Sequence, residues 1–165
     1  IVSSLKTFSR KNYGELKPTN MNDVIESALK IVWNKFKYNI RVDQNLTNPL
    51  PSINANDGQL QQVLINLLDN AAHAMQDKGT LTICTRTTNG YVDIEISDTG
   101  CGMTHESIKR LFEPFYTTKA ENEGTGLGLS VSYAIIEKHD GLISVNSQPN
   151  RGSTFTLRFP MIKAD

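Results

Sequence analysis

Residues 89–102 read NGYVDIEISDTGCG, and this stretch is the most informative part of the 165-residue chain. Asn89-Gly90 is a strong signal for a two-residue β-hairpin turn, because both residues tolerate positive φ. Apolar residues at every second position from Val92 to Ile96 then predict a strand with one buried face. The strand ends in Asp98-Thr-Gly-Cys-Gly102, a loop whose glycines let the backbone approach a ligand and point N–H groups at it.

Alternating apolar residues predict further strands around this stretch, and helical periodicity predicts five helices. The expected strands are Ile40–Val42, Thr80–Arg86, Tyr91–Ser97, Leu142–Ser147 and Ser153–Pro160. The expected helices are Ile1–Tyr13, a second one that runs to about Lys37, Gln59–Gln76, a short one near His105–Arg110, and one from about Leu127 to Asp140-Gly141. Asn22 or Asp23 is expected to cap the second helix, whose apolar positions include Trp33 and Phe36. Helices interleaved with hairpins indicate an α+β fold, with a mixed, antiparallel-rich sheet covered on one face by helices.

The composition excludes several classes of function. Seventeen basic residues balance seventeen acidic ones, so no bulk charge favours nucleic acid or an anionic membrane. The two cysteines have no metal-ligand spacing and are too few for a disulfide framework, so a reducing compartment is expected. No apolar run reaches transmembrane length. The length fits one domain, and the start at Ile1 without an initiator methionine suggests an excised fragment.

The long helix has one apolar face and one polar face. The polar residues are Gln59, Gln62, Asn66, Asn70 and His73. A solvated surface is the simpler interpretation of this face. It nevertheless carries amides in place of the usual Lys and Glu, and amide oxygens suit Mg²⁺ that phosphate already coordinates in part. Asn66 and Asn70 are four residues apart and would both point into one site.

A second glycine loop, Gly124-Thr-Gly-Leu-Gly-Leu129, leads directly into a predicted helix. It is neither a Walker loop nor a dinucleotide fingerprint. A helix N-terminus favours phosphate, although a flexible hinge before the helix is an equally simple interpretation. Asp98 in the first loop has two interpretations as well. It is either a turn aspartate or an acceptor for the exocyclic amine of adenine.

Between the two loops, residues 111–119 read LFEPFYTTK. The aromatic residues are typical of a small cluster that packs a loop on the core. Thr117, Thr118 and Lys119 offer two hydroxyls and a cation for a terminal phosphate, as expected in a mobile lid.

His105 and His139 lie at predicted helix ends and are expected to be exposed. No Ser/His/Asp or Cys/His set is evident.

In this order, the segments resemble the catalytic, ATP-binding domain of the sensor histidine kinases. Residues 59–74 resemble the N box of that family, and residues 98–103 its first glycine box. Leu111–Phe115 resembles the F box, Gly124–Ser130 the second glycine box, and Gly152–Leu157 the closing strand motif. Residues 1–14 resemble the end of the dimerisation and phosphoacceptor helix, which leaves 15–165 as the ATP-binding domain.

The resemblance implies a fold, a set of ligands and a set of site residues. The fold would be the two-layer α/β sandwich of the Bergerat type, shared with the gyrase, Hsp90 and MutL ATPases and closed by a mobile ATP lid. Asn66, Asn70 and Lys119 would be catalytic, with Mg²⁺ on Asn70 and Asn66 assisting at the phosphates or the metal. Asp98 would bind the adenine amino group. The full implied set of nucleotide-binding residues is Asn66, Asn70, His73, Asp98, Gly100, Gly102, Met103, Phe112, Phe115, Thr117, Thr118, Lys119, Gly124, Thr125, Gly126, Leu127, Gly128, Leu129 and Thr154.

One position bears on the reaction. In the related ATPases, the resemblance places a water-activating Glu one helical turn before the Mg²⁺-binding Asn, and Asn66 stands there in this chain. An amide cannot take up a proton at neutral pH, so ATP would be held for an imidazole nucleophile rather than for water.

The implied function is therefore transfer of the γ-phosphoryl group to a histidine on a separate dimerisation domain, and then to an aspartate of a response-regulator receiver domain. The implied parent is a homodimer in the cytoplasm, or the cytoplasmic part of a membrane-bound sensor. No phosphoacceptor motif is evident in this chain. The rivals are an ATPase clamp that dimerises on ATP and a degenerate module that binds ATP for regulation.

Overall fold

The computed structural model describes residues 15–76, 78–114, 116 and 128–163. The helix expected at Ile1–Tyr13 and the mobile lid expected before Gly128 lie outside these residues. The strands are β1 (Lys17–Thr19), β2 (Ile40–Leu46), β3 (Ile53–Ala55), β4 (Gly79–Thr88), β5 (Tyr91–Asp98), β6 (Leu142–Ser147) and β7 (Ser153–Pro160). The helices are α1 (Met21–Val32), α2 (Asp57–Met75), α3 (His105–Arg110) and α4 (Gly128–Lys138), with a 3-10 turn at Trp33–Lys35.

Five strands form one mixed sheet in the order β2-β4-β5-β7-β6. Only β2 and β4 run parallel, and the other neighbours are antiparallel, which confirms the antiparallel-rich sheet. β1 and β3 form a separate two-stranded sheet. Alternate residues of β4, β5 and β7 are buried on one face, where α2 lies between α1 and α4. The core therefore sits between this sheet and three helices.

The hairpin between β4 and β5 has the predicted turn. Thr88 pairs with Tyr91, so Asn89 and Gly90 are the only two residues between the paired strands. Both have positive φ, 49° and 86°, as a type I′ turn requires. This turn fixes the register of β5 and therefore determines which of its residues face the helices.

The helix starts differ from the prediction because asparagines one to three residues upstream cap them. Asn20, and not Asn22 or Asp23, caps α1 by accepting the N–H of Asn22 at 2.9 Å. Asn56 caps α2 by accepting the N–H of Gln59 at 3.0 Å, so this helix begins at Asp57. A side-chain acceptor satisfies one of the N–H groups that the first helical turn leaves open.

The end of α1 also differs from the prediction. The α-helix stops at Val32, and the 3-10 turn that follows changes the direction of the side chains. Trp33 consequently stays 45% exposed and does not join the core, whereas Phe36 is fully buried as expected. β1 and β3 were not predicted, and β2 extends four residues beyond the predicted Ile40–Val42.

His139 is buried, which contradicts the expectation of an exposed histidine at a helix end. Its side chain is 5% exposed, and Nε2 accepts the backbone N–H of Asn56 at 3.1 Å. Nδ1 lies 2.8 Å from the carbonyl oxygen of Ile135, which can only accept, so Nδ1 carries the proton. The ring also meets Phe159 edge to face. His139 therefore joins the end of α4 to the start of α2.

An ion pair between a buried carboxylate and an exposed guanidinium lies on the sheet face opposite the helices. Arg158 donates from Nε and Nη2 to the two carboxylate oxygens of Asp93, at 2.8 and 2.9 Å. Asp93 is 2% exposed. Hydrogen bonds from Arg158 hold the pKa of the Asp93 carboxyl below its usual range, against the opposing effect of burial. The pair thus joins the neighbouring strands β5 and β7.

We expect Asp93→Asn to lower the free energy of unfolding at pH 7 by about 1 kcal/mol, because hydrogen bonds to the buried carboxylate are lost but solvent screens the exposed guanidinium of Arg158. Because folding lowers the pKa of Asp93, its contribution is complete above the unfolded-state pKa of about 3.9 and is lost as pH falls through the folded-state pKa. Urea denaturation between neutral and acidic pH should therefore show a weaker acid dependence in Asp93→Asn than in the wild type. The control is Asp43→Asn, which removes the carboxylate of an exposed pair with Arg41. Equal losses in the two variants would contradict the prediction.

Within the described residues, no helix is both long and apolar enough to cross a lipid bilayer.

Candidate functional site

The first site residue is Asp98, which ends β5 and is 9% exposed. It follows Ile94 and Ile96 on the face of the sheet that the helices cover. Its Oδ1 accepts the N–H of Gly100 at 2.8 Å. Burial raises the pKa of the Asp98 carboxyl above its usual range, and hydrogen bonds from the backbone of Gly100 and Ser153 offset part of that rise. A buried acceptor therefore stands at the end of a central strand.

The first glycine loop is bound to the end of α2. The N–H of Cys101 donates to the carbonyl oxygen of Ala74 at 3.0 Å. A Cβ added to Gly100 would lie 2.6 Å from the carbonyl carbon and oxygen of Ala74, so only glycine allows this approach. Thr99 fixes the other side, since its Oγ1 accepts the N–H of Thr80 at 3.0 Å.

The loop is also pressed against the turn between β6 and β7, residues 148–152. Gly102 has a φ of +68°, and a Cβ there would overlap the carbonyl oxygen of Gln148. Gly152 has a φ of +75°, and a Cβ there would overlap the carbonyl oxygen of Asp98. The N–H of Asn150 donates to the carbonyl oxygen of Cys101 at 2.7 Å. Gly102 and Gly152 thus allow close packing of backbone on backbone, a role that was not predicted for either glycine.

Asn66 links α2 to the start of α4. Its Nδ2 donates to the carbonyl oxygen of Gly128 and to Oγ of Ser132, each at 3.1 Å, and its Oδ1 accepts from Gln62 at 3.0 Å. Ser132 is fully buried and donates to the same Gly128 carbonyl at 2.8 Å. Gly128 is the last of the three glycines in the second glycine loop. The Asn66 amide therefore fixes the point where that loop enters α4.

The remaining polar residues of α2 continue along the same face. Asn70 is half-buried and His73 is exposed, one and two turns beyond Asn66. Gln59 at the other end is buried, so a purely solvated face does not describe this side of the helix. The polar face therefore runs from the α4 contact toward the loop that holds Asp98.

Thr154 lies apart from the other predicted site residues. Its Oγ1 lies 2.8 Å from Oγ of Ser97, on the face of the sheet opposite Asp98. The neighbour of Asp98 in the register is Ser153, which is buried and was not among the predicted site residues. The alternation of β7 could have identified Ser153, because the residue two positions before the buried Phe155 lies on the same face of the strand.

Phe112 and Leu129 lie at the edge of the core. The ring of Phe112 stacks at a tilt on Tyr133 of α4, with centroids 5.2 Å apart, and Leu129 is half-buried. Met103, which follows the first glycine loop, is also half-buried against the core. The remaining predicted residues lie outside the part of the chain that the structure describes, namely Phe115, Thr117, Thr118, Lys119, Gly124, Thr125, Gly126 and Leu127.

The family model described as "Histidine kinase-, DNA gyrase B-, and HSP90-like ATPase" matches residues 55–163. The chain belongs to this family. The match begins just before α2 and ends after β7, so it covers every element that positions Asp98 and Asn66.

Its relatives include named histidine kinases. The chain is 39% identical over 98% of its length to the signal transduction histidine-protein kinase AtoS of Escherichia coli, and 37% identical over 98% to the sensor histidine kinase ZraS of that species. It is 43% identical over 74% of its length to sporulation kinase E of Bacillus subtilis. The chain spans only 26%, 34% and 16% of these three proteins, respectively.

Solved structures show the same fold. The catalytic domain of histidine kinase ThkA has a TM-score of 0.80 and 31% identity, over 90% of this chain and 97% of that one. The histidine kinase AdeS of Acinetobacter baumannii has a TM-score of 0.76 and 28% identity, over 98% of this chain and 77% of that one. These likenesses confirm the fold and the family that the order of motifs indicated.

We expect Gly102→Ala to destabilise the protein far more than Gly90→Ala. Both glycines have positive φ, but a Cβ at Gly90 would meet no atom within 4 Å, whereas one at Gly102 would overlap the β6–β7 turn. Gly90→Ala should cost about 1–2 kcal/mol of backbone strain, and Gly102→Ala more than about 3 kcal/mol. Urea denaturation of the two variants measures the difference. Similar losses would show that the loop and the turn are not packed as described.

Proposed function

We propose that this domain binds Mg-ATP and transfers its γ-phosphoryl group to a histidine on a separate helical dimerisation domain of the same protein. The observation that carries the proposal is the buried Asp98 carboxylate, held beside a glycine loop at one end of a helix face lined with amides. Membership of the ATPase family and the names of the relatives support the nucleotide and the acceptor.

Asp98 is proposed to bind the adenine base. An ionised carboxylate only accepts hydrogen bonds, so it suits the exocyclic amine of adenine and rejects a carbonyl at the same position. Its burial strengthens the discrimination, because a mismatched base would leave the carboxylate without a partner in a site shielded from water. Gly100, Gly102, Met103 and Ser153 would form the surrounding wall, while Thr154 faces away and is not retained as a contact.

Asn70 is proposed to hold Mg²⁺ together with the phosphates. When bound, Mg²⁺ would neutralise charge that develops on the phosphates during transfer. The donor chemistry fits a metal that arrives with phosphate oxygens, since Asn70 offers a neutral amide oxygen on a half-buried helix face. Lys119, Thr117, Thr118 and the glycines 124–128 remain proposed phosphate contacts.

Asn66 is proposed to favour transfer over hydrolysis. Its amide already bonds Gln62, Gly128 and Ser132, and an amide oxygen takes no proton at neutral pH, so it supplies no base for water. An imidazole nitrogen with a free lone pair needs no such base. It attacks the γ-phosphorus while the bond to the β–γ bridging oxygen breaks, and ADP leaves. The protein's contribution is then to orient the nucleotide.

The same proposal extends to the whole protein. The phosphohistidine would pass its phosphoryl group to an aspartate of a response-regulator receiver domain. The parent would be a homodimer through its dimerisation helices, with this domain in the cytoplasm.

The test mixes this chain with ATP labelled on the γ-phosphate, Mg²⁺ and a separately prepared dimerisation domain of its parent. We expect acid-labile, base-stable label on a histidine, reduced about a hundredfold by Asn70→Ala, because the lost amide supports developing charge. Asn54→Ala, an exposed asparagine on β3, is the matched control and should leave transfer unchanged.

Two outcomes would contradict the proposal. Rapid release of labelled phosphate without label on histidine would indicate an ATPase. Tight ATP binding without either reaction would indicate a regulatory module that only binds the nucleotide.

A further inference from the structure

The hydroxyl of Ser147, the last residue of β6, connects three segments. Its Oγ accepts the N–H of Met103 at 2.9 Å and donates to the carbonyl oxygen of Gly152 at 2.8 Å. It also lies 2.8 Å from Oγ of Ser153. One side chain thus reaches the end of the first glycine loop, the β6–β7 turn and the start of β7.

The directions of these bonds follow from the partners. The N–H of Met103 can only donate and the carbonyl of Gly152 can only accept, so the single proton of Ser147 goes to Gly152. Ser153 must therefore donate to Ser147. The Ser147 oxygen then uses its one donor and both of its lone pairs, which leaves this hydroxyl fully bonded and fixed in orientation.

These contacts lie in the same row of the sheet as Asp98. Asp98 pairs with Ser153, and Ser153 pairs with Ser147. Asp98 belongs to the strand that enters the glycine loop, and Met103 belongs to the segment that leaves it. Ser147 therefore fixes the far end of the loop relative to the carboxylate at its start. The carbonyl of Cys101, bonded to the N–H of Asn150, provides one more link between loop and turn.

We propose that Ser147 is a positioning residue that sets the affinity of the adenine end of the site for the base. It touches neither the base nor the phosphates but holds the backbone of Gly102 and Met103 at the distance from Asp98 that adenine requires. This role rests on the proposed function. Ser147 is not among the binding residues that the resemblance implies.

A purely structural role makes a different prediction. If Ser147 only stabilised the fold, its loss would lower the free energy of unfolding and weaken all ligands equally. If it positions the adenine end, its loss must weaken ligands that carry the base and spare ligands that are phosphate alone. The ratio of two dissociation constants separates the roles, because an unfolded fraction of the chain does not change that ratio.

The experiment measures binding of Mg-ADP and of Mg-tripolyphosphate to this chain by calorimetry. We expect Ser147→Ala to raise the Kd for ADP about tenfold, equivalent to about 1.4 kcal/mol, and to change the Kd for tripolyphosphate less than about twofold. Ser147→Thr keeps the hydroxyl and suits a strand, so it should bind ADP like the wild type. Ser147→Cys, whose thiol is a weak acceptor, should give an intermediate value and serves if the alanine variant does not fold.

The matched control is Ser144→Ala, an exposed serine on the same strand, which should bind both ligands like the wild type. Amide hydrogen exchange adds a direct readout, since Met103 should lose protection in Ser147→Ala alone. Equal weakening of the two ligands, unchanged ADP binding, or unchanged Met103 protection would each overturn the role of Ser147. Failure of the wild-type chain to bind ADP would instead overturn the proposed function, and this role with it.

Discussion

The approach of the first glycine loop to two neighbouring backbones is the constraint on which the site depends. Gly100 lies against the carbonyl of Ala74 at the end of α2, and Gly102 lies against the carbonyl of Gln148 in the β6–β7 turn. No side chain fits at either point. The loop therefore has one available path, and that path leaves the Asp98 carboxylate buried with its Oδ1 on the N–H of Gly100. Burial in this setting raises the pKa of the Asp98 carboxyl, so a ligand that donates a hydrogen bond to it would stabilise the ionised form.

The opposite end of the site depends on a different kind of contact. Asn66 and Ser132 connect α2 and α4 through the carbonyl of Gly128, and His139 connects the same two helices about three turns further along. Helix α4 is thus joined to α2 at both of its ends. The second glycine loop leads into α4, and these bonds fix Gly128, the first residue of that helix. The amide of Asn66 therefore has a structural role of its own, because it joins the two helices.

Much of this architecture could be predicted because local signals agree with the fold. The Asn89-Gly90 turn, the alternation of β5 and β7 and the two faces of α2 each appear in the sequence and in the structure. The order of the motifs also predicted the family that the comparisons show. These features depend on residues close together in sequence, where periodicity and turn chemistry are informative.

The parts that could not be predicted depend on residues far apart in sequence. The ring of His139 accepts the N–H of Asn56, which is 83 residues away in sequence, so no local pattern predicts its burial. Ser147 joins Met103 across 44 residues, and no local pattern distinguishes it from an ordinary strand serine. Thr154 differs from these cases, because the resemblance alone implied it, whereas the alternation of β7 places Ser153 on the face of Asp98 and Thr154 on the opposite face.

The central claim is that the buried Asp98 carboxylate recognises adenine, and ADP binding as a function of pH tests it most directly. Adenine favours the ionised carboxylate, so ADP binding lowers the pKa of Asp98 and weakens as pH falls through the raised pKa of the free protein. Asp98→Asn lacks this titration, and the phosphates of ADP titrate equally with both proteins. We expect Asp98→Asn to bind ADP about ten- to a hundredfold more weakly than the wild type near pH 8, and the difference to shrink on acidification. A ratio of the two dissociation constants that stays near unity at every pH would contradict the account.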